Sequence, residues 1–477
     1  MRNIILTLIF ILQTIIVNAQ NEIDALRYSM TDLSGSARYT AMGGAFGSLG
    51  GEFSSLSSNP AGLGMYQYSE ISFTPIFNLY STKSYYSNNS ATAYRSNSLV
   101  GNFGLILSTP KNNSDWKRIN IGIGWNQLAN FDNSTVIEGI NYDNSIVDKI
   151  INLTNGTLTN DLINGNGNTY SQLAWNTYLI DPLYINNDLV DGQYISNFSS
   201  ASKIQYKNIR TSGDMSEFVI SLGSSFKEKL YVGATLGIPA INFYEYSEYI
   251  ERENTDTANN LRDIILTEEL SAYGTGYNFK IGAIYRLSEN IKIGGALHTP
   301  TFINMEEDYN VAMSTNFKDS SLNYSMGYRA PFNYDLITPM KTIVSASTIF
   351  NNIIISGQYE IIDYSTAEYF TTGFEIENNT ISEIYQRTEN IKVGAEINLK
   401  TIILRTGYAK YGSPYIENDF SIENFSYGIG MNNGRYFMDV AYILNQSTSE
   451  HSLYSYVNPI KLINTNHSVI FTLGFRY

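Results

Sequence analysis

The stretch HSVIFTLGFRY at residues 467–477 shows the alternation that decides the fold. Its large apolar side chains recur at every second position, namely Val469, Phe471, Leu473, Phe475 and Tyr477. The positions between them include Thr472, Gly474 and Arg476. Since side chains of a strand alternate between its two faces, one face is apolar and the other is small and polar. This pattern is typical of the closing strand of an outer-membrane β-barrel, although the last strand of a soluble β-sandwich also alternates.

The same alternation recurs along the chain and predicts an all-β fold of fourteen antiparallel strands. They lie near 68–80, 96–108, 118–131, 214–226, 229–246 and 268–286, from 291, over 322–350, from 353, up to 399, from 401, and near 424–432, 435–446 and 467–477. An even number of strands is what a closed bacterial barrel requires. We therefore expect a transmembrane barrel over residues 68–477.

The predicted connections differ in length according to the strand that they follow. After even-numbered strands they are mostly short, as at 227–229, 351–352 and 432–434. After odd-numbered strands they are mostly longer, above all the insertion at 132–213, which is too long for a plain loop. Short turns on one side and long loops on the other indicate an outer-membrane barrel with the short side in the periplasm.

The insertion contains apolar clusters at 146–153 and 173–183. These clusters either pack on each other or present an apolar surface at the cell exterior. In both cases the insertion is the predicted place of first contact with a ligand or partner.

The N-terminus carries an export signal. Arg2 precedes an apolar run at 4–17, and Ala19 supplies a small residue for cleavage, so we expect a signal peptide at 1–19 and a mature chain from Gln20. Because no later apolar run is long enough for a spanning helix, we expect the outer membrane of a Gram-negative bacterium, crossed by strands. The absence of cysteine excludes disulfides, and the net charge of −14 argues against binding to nucleic acid.

The sequence gives little support for catalysis. His298, His451 and His467 are scattered, and no nucleophile elbow, HExxH helix or phosphate-binding glycine loop is present. We therefore expect no enzyme activity, no cofactor and no metal site.

Residues 20–67 are rich in glycine and serine and would form a poor core alone. Apolar residues are interspersed among them, so we expect a segment packed inside a larger shell. The candidate apolar residues of this packing are Phe46, Phe53, Leu56 and Leu63.

With these features the chain resembles the FadL/TodX family of outer-membrane transporters for long-chain fatty acids and other hydrophobic compounds. The most specific similarity is Asn59-Pro60-Ala61 with Gly62, which resembles the family's hatch motif. Further similar stretches lie at 36–46, 338–341, 358–365 and 473–477. The resemblance covers essentially the whole mature chain.

The resemblance implies a barrel plugged by an N-terminal hatch, with passive uptake of a hydrophobic ligand. Loops capture the ligand, the lumen binds it, the hatch moves, and the ligand leaves through a gap at a kinked third strand. Asn59, Pro60, Ala61 and Gly62 would form the gating motif. Expected partners are outer-membrane lipid and, through the last strand, the barrel assembly machinery, and a monomer is expected. In the third strand, Gly122, Gly124 and Asn126-Gln127 indicate a local disruption of the wall, or the glycines merely make room for hatch side chains.

A luminal site for a carboxylate would need cations. Strand alternation places four of them on the inward face, namely Lys280, Lys292, Lys392 and Arg405. These cations either bind ligand or solvate the lumen and pair with carboxylates such as Glu396. An alternative function is a barrel that anchors binding or adhesion loops at the cell surface without transport.

Overall fold

The computed structural model describes residues 22–111, 114–198, 202–254, 260–319, 323–417, 420–455 and 457–477. The predicted signal peptide lies outside these ranges. The described chain forms one closed antiparallel barrel of 14 strands, so the predicted fold class and strand number are confirmed. Closure is made by the last strand, which pairs with the first from Glu70 opposite Arg476 to Tyr85 opposite Lys461.

The first seven strands are long and two of them are interrupted. They are β1 Glu70–Tyr86, β2 Asn89–Pro110, β3 Trp116–Asn130 with Asn133–Asn141, β4 Lys203–Phe226, β5 Leu230–Glu253, β6 Leu261–Arg286 and β7 Ile291–His298 with Phe302–Phe317. The others are β8 Tyr324–Ile337 with Lys341–Phe350, β9 Ile353–Asp363, β10 Arg387–Leu399, β11 Ile402–Tyr411, β12 Ile422–Asn432, β13 Tyr436–His451 and β14 Ile460–Arg476.

One end of the barrel carries short turns and the other carries most of the long connections; we call them the turn end and the loop end. At the turn end, Lys227, Glu228, Asn351 and Lys400 have positive φ angles. Such left-handed residues are typical of tight hairpins whose twist matches that of the flanking strands. The predicted sorting of connection lengths is therefore found, with the two-residue turn between β1 and β2 at the loop end as an exception.

The outer face of the barrel is an apolar belt. Phe471 and Leu473 of the C-terminal stretch point outward, whereas Thr472 between them is buried against the interior. The same alternation holds in β1, where Phe73 and Phe77 are exposed. Exposed apolar side chains on the outside and buried polar ones within match the solvation of a barrel in a membrane. None of the helices in the described part of the chain is long and apolar enough to cross a membrane.

The insertion is shorter than the predicted range 132–213. Residues 133–141 pair with 203–211, so both stretches continue β3 and β4 and the true connection begins after Asn141. The sequence pattern failed there because these strand ends lie beyond the apolar belt, where both faces carry polar residues.

The connection contains the helices Ile146–Thr154, Thr159–Ile163 and Thr169–Asn176, followed by a hairpin of Ile180–Ile185 and Asp188–Ser196. Its apolar residues pack mainly on each other and on the inner faces of strands at the loop end, with Val147, Leu173 and Leu179 fully enclosed. The first of the two expected arrangements therefore prevails, although Tyr184 and Ile185 on the hairpin remain exposed.

Candidate functional site

The N-terminal segment, residues 22–66, lies against inner faces of strands around the barrel. It contains the short helices Glu22–Arg27 and Ala37–Ala41 and the 3-10 turns Phe53–Ser57 and Pro60–Met65. Its hydrogen bonds reach separate strands: Ala37 N donates to Thr472 on β14 (2.8 Å), and Gly47 N donates to Gln358 on β9 (2.7 Å). These contacts hold residues 37 and 47 against the inner faces of two separate strands.

The Asn59-Pro60-Ala61-Gly62 motif is held by its own side-chain cap and by close contact with the barrel wall. The Asn59 side chain is fully buried, accepts from Ala61 N (3.1 Å) and donates to the carbonyl of Gly47 (2.6 Å). Glycines of the wall leave room for the motif, because a side chain at Gly282 would overlap Asn59 and one at Gly233 would overlap Pro60. This close approach of backbone to strand is one for which glycine is needed.

The predicted apolar residues of the segment are buried where they meet glycines of the wall. A methyl group at Gly124 would lie 2.5 Å from Phe53, and one at Gly122 would lie 2.5 Å from Leu56. The glycines of the third strand therefore make room for side chains of the segment. Leu63 packs in the same cluster, and Phe46 lies in a neighbouring one.

The wall is nevertheless interrupted in the third strand, a few residues further on. The ladder between β2 and β3 runs from Pro110 opposite Arg118 only as far as Asn102 opposite Asn126. Beyond this point β2 pairs with β1 alone and β3 pairs with β4 alone among the described residues. A bulge between Gln127 and Ala129 marks the change. We call this feature the β2–β3 gap.

The gap lies at the level of the apolar belt. Phe77 and Leu79 of β1, which point outward and are about half exposed, pair with β2 residues beyond the end of the β2–β3 ladder. The displaced part of β3 passes inside the barrel, where Thr82 donates to Asn133 (2.9 Å) and Ser84 donates to the Val136 carbonyl (2.6 Å). At this height the wall therefore has no backbone ladder between β2 and β3, and side-chain contacts such as that of Arg95 with Asp132 (2.7 Å) join them instead.

The N-terminal segment touches the bulge directly. Asp32 N donates to the Leu128 carbonyl (2.8 Å), and its carboxylate accepts from Asn130 N (2.9 Å). Ser34 Oγ donates to Gln127 Oε1 (2.9 Å). Three hydrogen bonds thus connect residues 32–34 to the edge of the gap.

Two luminal cavities meet at these contacts, since Asp32, Ser34 and Gln127 line both. The first, of about 120 Å³, is reached by Lys280, Lys341, Lys392, Glu217 and Glu360, and we call it the charged cavity. The second, of about 260 Å³, is lined mainly by asparagine and hydroxyl side chains, and we call it the amide cavity. Neither is the purely apolar trough that a hydrocarbon chain would select.

The four predicted cations all point inward, and three are in ion pairs. Lys280 binds Glu217 (2.6 Å) and Lys392 binds Glu360 (2.7 Å). Arg405 binds Glu396 (2.6 Å) and Asp439 (2.6 Å). Pairing with Glu396 was the expected alternative to ligand binding. Lys292 instead donates to the Leu49 carbonyl of the N-terminal segment (3.3 Å).

Sequence reasoning missed Lys341, which also lines the charged cavity but forms no ion pair among the described residues. Its ammonium donates to Thr31 Oγ1 (3.2 Å), and none of the ion pairs within 4 Å among the described residues includes it. Its position directly after the interruption of β8, within the stretch 338–341 that carries part of the family resemblance, was the available signal.

A larger and more apolar pocket lies at the loop end. It measures about 390 Å³ and is formed by Ile146, Ile150 and Leu153 of the insertion facing Leu266 and Leu453 of the barrel. Two lysines, Lys149 and Lys207, stand among its lining residues. Tyr170 and Tyr309 both donate to Glu268 at its edge (2.6 and 2.8 Å) and so connect the insertion to the barrel.

No family model matches the sequence, and no curated protein matches it. Solved structures do match. One is the Pseudomonas putida toluene transporter TodX, at 12% identity and a TM-score of 0.52, with 94% of this chain and 99% of that chain covered. Another is a Pseudomonas aeruginosa FadL homologue, at 13% identity and a TM-score of 0.54, with 94% and 99% covered. The likeness establishes the fold and confirms the closed 14-stranded barrel that the sequence resemblance implied.

Proposed function

We propose that this protein is a FadL/TodX-type channel of the outer membrane that takes up hydrophobic small molecules without energy coupling. The observation that carries the proposal is the β2–β3 gap, which lies within the apolar belt, next to luminal cavities, and is contacted by residues 32–34. The turn end is then periplasmic and the loop end extracellular. A barrel that served only as an anchor for adhesion loops would need neither the gap nor the cavities.

Capture is assigned to the pocket at the loop end. Its apolar walls and a volume of about 390 Å³ suit the hydrophobic part of a small ligand. Lys149 and Lys207 would attract an anionic head group, so long-chain fatty acids are among the ligands that this first site accepts.

Exit is assigned to the β2–β3 gap. A hydrophobic ligand that leaves sideways enters the hydrocarbon of the membrane and never has to cross water, which saves about 25 cal/mol for each Å² of apolar surface. The missing ladder means that no backbone hydrogen bonds between β2 and β3 have to break at this height.

Gating is assigned to residues 32–34 of the N-terminal segment. The Asn59-Pro60 motif is held by wall glycines and a buried cap, so its proposed role in the hatch is to anchor it. Residues 32–34 are held to the gap by only three hydrogen bonds, each worth about 1 kcal/mol. Movement of this part opens the path while the anchor stays in place.

The proposal is tested by locking the segment to the wall. Ser34 Oγ lies 2.9 Å from Gln127 Oε1 on the wall, close enough for two cysteines at these positions to be bridged by a short bis-methanethiosulfonate reagent, and the chain has no cysteine of its own. The variant Ser34→Cys/Gln127→Cys, once cross-linked, is expected to lower uptake of labelled fatty acid and toluene by cells at least tenfold. Reductant should restore uptake.

Each single cysteine variant serves as the control, and barrel insertion is checked by heat-dependent mobility on gels. A folded wild-type protein that takes up no member of a panel of hydrophobic compounds would end the transport proposal and leave the anchoring function. Full uptake by the cross-linked double variant would instead contradict gating by the segment. An Asn59→Ala variant tests the anchor and should show altered uptake with barrel insertion retained.

A further inference from the structure

The amide cavity has a composition that hydrophobic uptake does not require. Neutral hydrogen-bonding side chains from β1, β3, β12, β13 and β14 converge in it, notably Asn78, Asn130, Asn424, Asn445, Asn464 and Asn466. Hydroxyl groups of Ser81, Thr82, Ser447 and Ser468 stand between them. Hydration of the lumen alone could be achieved with charged side chains, as in the charged cavity next to the amide cavity.

Several of these amides are not satisfied by the protein. Asn424 is 2% exposed, and although its Oδ1 accepts from Asn445 (2.9 Å), its Nδ2 has no partner among the described residues. The same holds for Nδ2 of Asn130 and Oδ1 of Asn466. A buried polar atom without a partner costs about 1–3 kcal/mol, so a ligand toward which these asparagine side chains turn would gain correspondingly from the two donors and one acceptor.

The charge of the amide cavity excludes a carboxylate. No lysine, arginine or histidine lines it among the described residues, whereas two carboxylates do, Asp32 and Asp132. Asp132 is already paired with Arg95 (2.7 Å), which stands outside the lining. An anionic head group would lose its hydration here and meet a negative charge without a compensating cation.

One wall of the amide cavity is apolar. Leu33 of the N-terminal segment lines it beside Ile76, Ile443 and Ile470, and all four belong to one buried cluster. A ligand with both a neutral polar part and an apolar part therefore finds a surface for each.

From these observations we infer that the amide cavity binds an uncharged amphiphile whose head group carries hydroxyl or amide groups. Hydroxyl and amide groups can both donate and accept hydrogen bonds. They therefore suit the unpartnered donors of Asn130 and Asn424 and the unpartnered acceptor of Asn466. The volume of about 260 Å³ equals roughly nine water molecules at ~30 Å³ each and so admits a head group of comparable size.

This inference rests on the proposed uptake function only for the route by which the ligand arrives. It changes the substrate class: the pocket at the loop end, with its lysines, accepts anionic and neutral amphiphiles, and the amide cavity then selects the neutral ones. Because Gln127 lines this cavity and borders the β2–β3 gap, the selected ligand lies next to the exit.

The test compares three probes with the same chain length. Lys149→Met and Lys207→Met first remove the cations of the pocket at the loop end. This full-length protein in lipid nanodiscs is dialysed at pH 8 against labelled decane-1,2-diol, decanamide or decanoate, and binding to empty nanodiscs is subtracted. At this pH decanoate is ionised. The diol and the amide are expected to bind at least tenfold more tightly than decanoate.

The variant Asn424→Leu should weaken binding of the diol and the amide at least fivefold and leave decanoate unchanged. Asn208→Leu is the matched control, because Asn208 is also a buried asparagine with an unpartnered Oδ1 but lies outside the amide cavity. If Asn424→Leu fails to insert, Asn466→Leu takes its place with the same expectation.

Equal or tighter binding of decanoate, or Asn424→Leu and Asn466→Leu variants that bind the diol like wild type, would overturn the inference while the uptake function stood. Absence of binding by all three probes, together with no uptake of toluene or fatty acid by cells, would overturn both.

Discussion

The charged cavity and the amide cavity share Asp32, Ser34 and Gln127 yet differ in what they leave open to a ligand. In the charged cavity Lys280 and Lys392 are already bound by buried carboxylates of the barrel. In the amide cavity, asparagine donors and acceptors remain without partners. The comparison shows that a ligand site is indicated by unsatisfied groups, since the number of charges says little once those charges have neutralised one another.

The largest expected effect concerns the stability of the charged cavity. Glu217 is fully buried and bound by Lys280, so Lys280→Met leaves an uncompensated buried carboxylate and should lower the free energy of unfolding by about 3–5 kcal/mol. Urea unfolding in lipid vesicles measures it. The double variant Lys280→Met/Glu217→Gln should regain most of the loss.

Lys292→Met provides the matched control for this substitution, because Lys292 is also an inward lysine but donates to neutral acceptors, the Leu49 carbonyl and the Met65 sulfur (3.9 Å). Its expected cost is about 1 kcal/mol. If Lys280→Met cost no more than Lys292→Met, the view of the charged cavity as internally neutralised would be wrong.

The next effect concerns ligand choice. Lys341 is the cation of the charged cavity without an ion pair among the described residues, so the decanoate binding that is left once Lys149 and Lys207 of the loop-end pocket are replaced should depend on it. In the Lys149→Met/Lys207→Met background, Lys341→Met is expected to weaken decanoate binding about tenfold, or ~1.4 kcal/mol, and to leave decane-1,2-diol binding unchanged. Equilibrium dialysis in nanodiscs measures both. If Lys341→Met weakened binding of both ligands equally, the two cavities would act as one site and the distinction between them would be wrong.

The sequence predicted the face on which residues lie but not the residues that they meet. Alternation fixed Lys280 and Lys392 as inward, because period two is a property of a single strand. Their partners Glu217 and Glu360 come from other strands, and the register between strands is not encoded in that period. The choice between a ligand-binding and a paired cation therefore stayed open.

The position of the β2–β3 gap was predicted only in part. Gly122 and Gly124, named as a disruption of the third strand, instead admit Phe53 and Leu56. The Asn126-Gln127 pair named with them marks the observed place, because the ladder ends at Asn126 and a bulge lies between Gln127 and Ala129. The sequence did not separate the two readings, since a bulge adds one residue without a composition of its own.

The smallest expected effect tests the residues that both cavities share. Ser34→Ala removes the hydrogen bond to Gln127, worth about 1 kcal/mol, and should shift the gate toward opening about fivefold. Uptake by cells should rise for decane-1,2-diol and decanoate alike, because the contact holds the gap and selects neither ligand.

The matched control is Ser55→Ala in the same segment. The Ser55 hydroxyl donates within the segment to the Glu52 carbonyl (2.6 Å) and lines neither cavity, so uptake should be unchanged. Equal rates for Ser34→Ala and wild type would mean that residues 32–34 do not hold the gap closed. A rise for the diol alone would place Ser34 in the amide cavity as a selecting residue. If uptake rises equally for both probes, gating and selection are separate. Gating then belongs to the residues that both cavities share, and selection belongs to the residues that line only one of them.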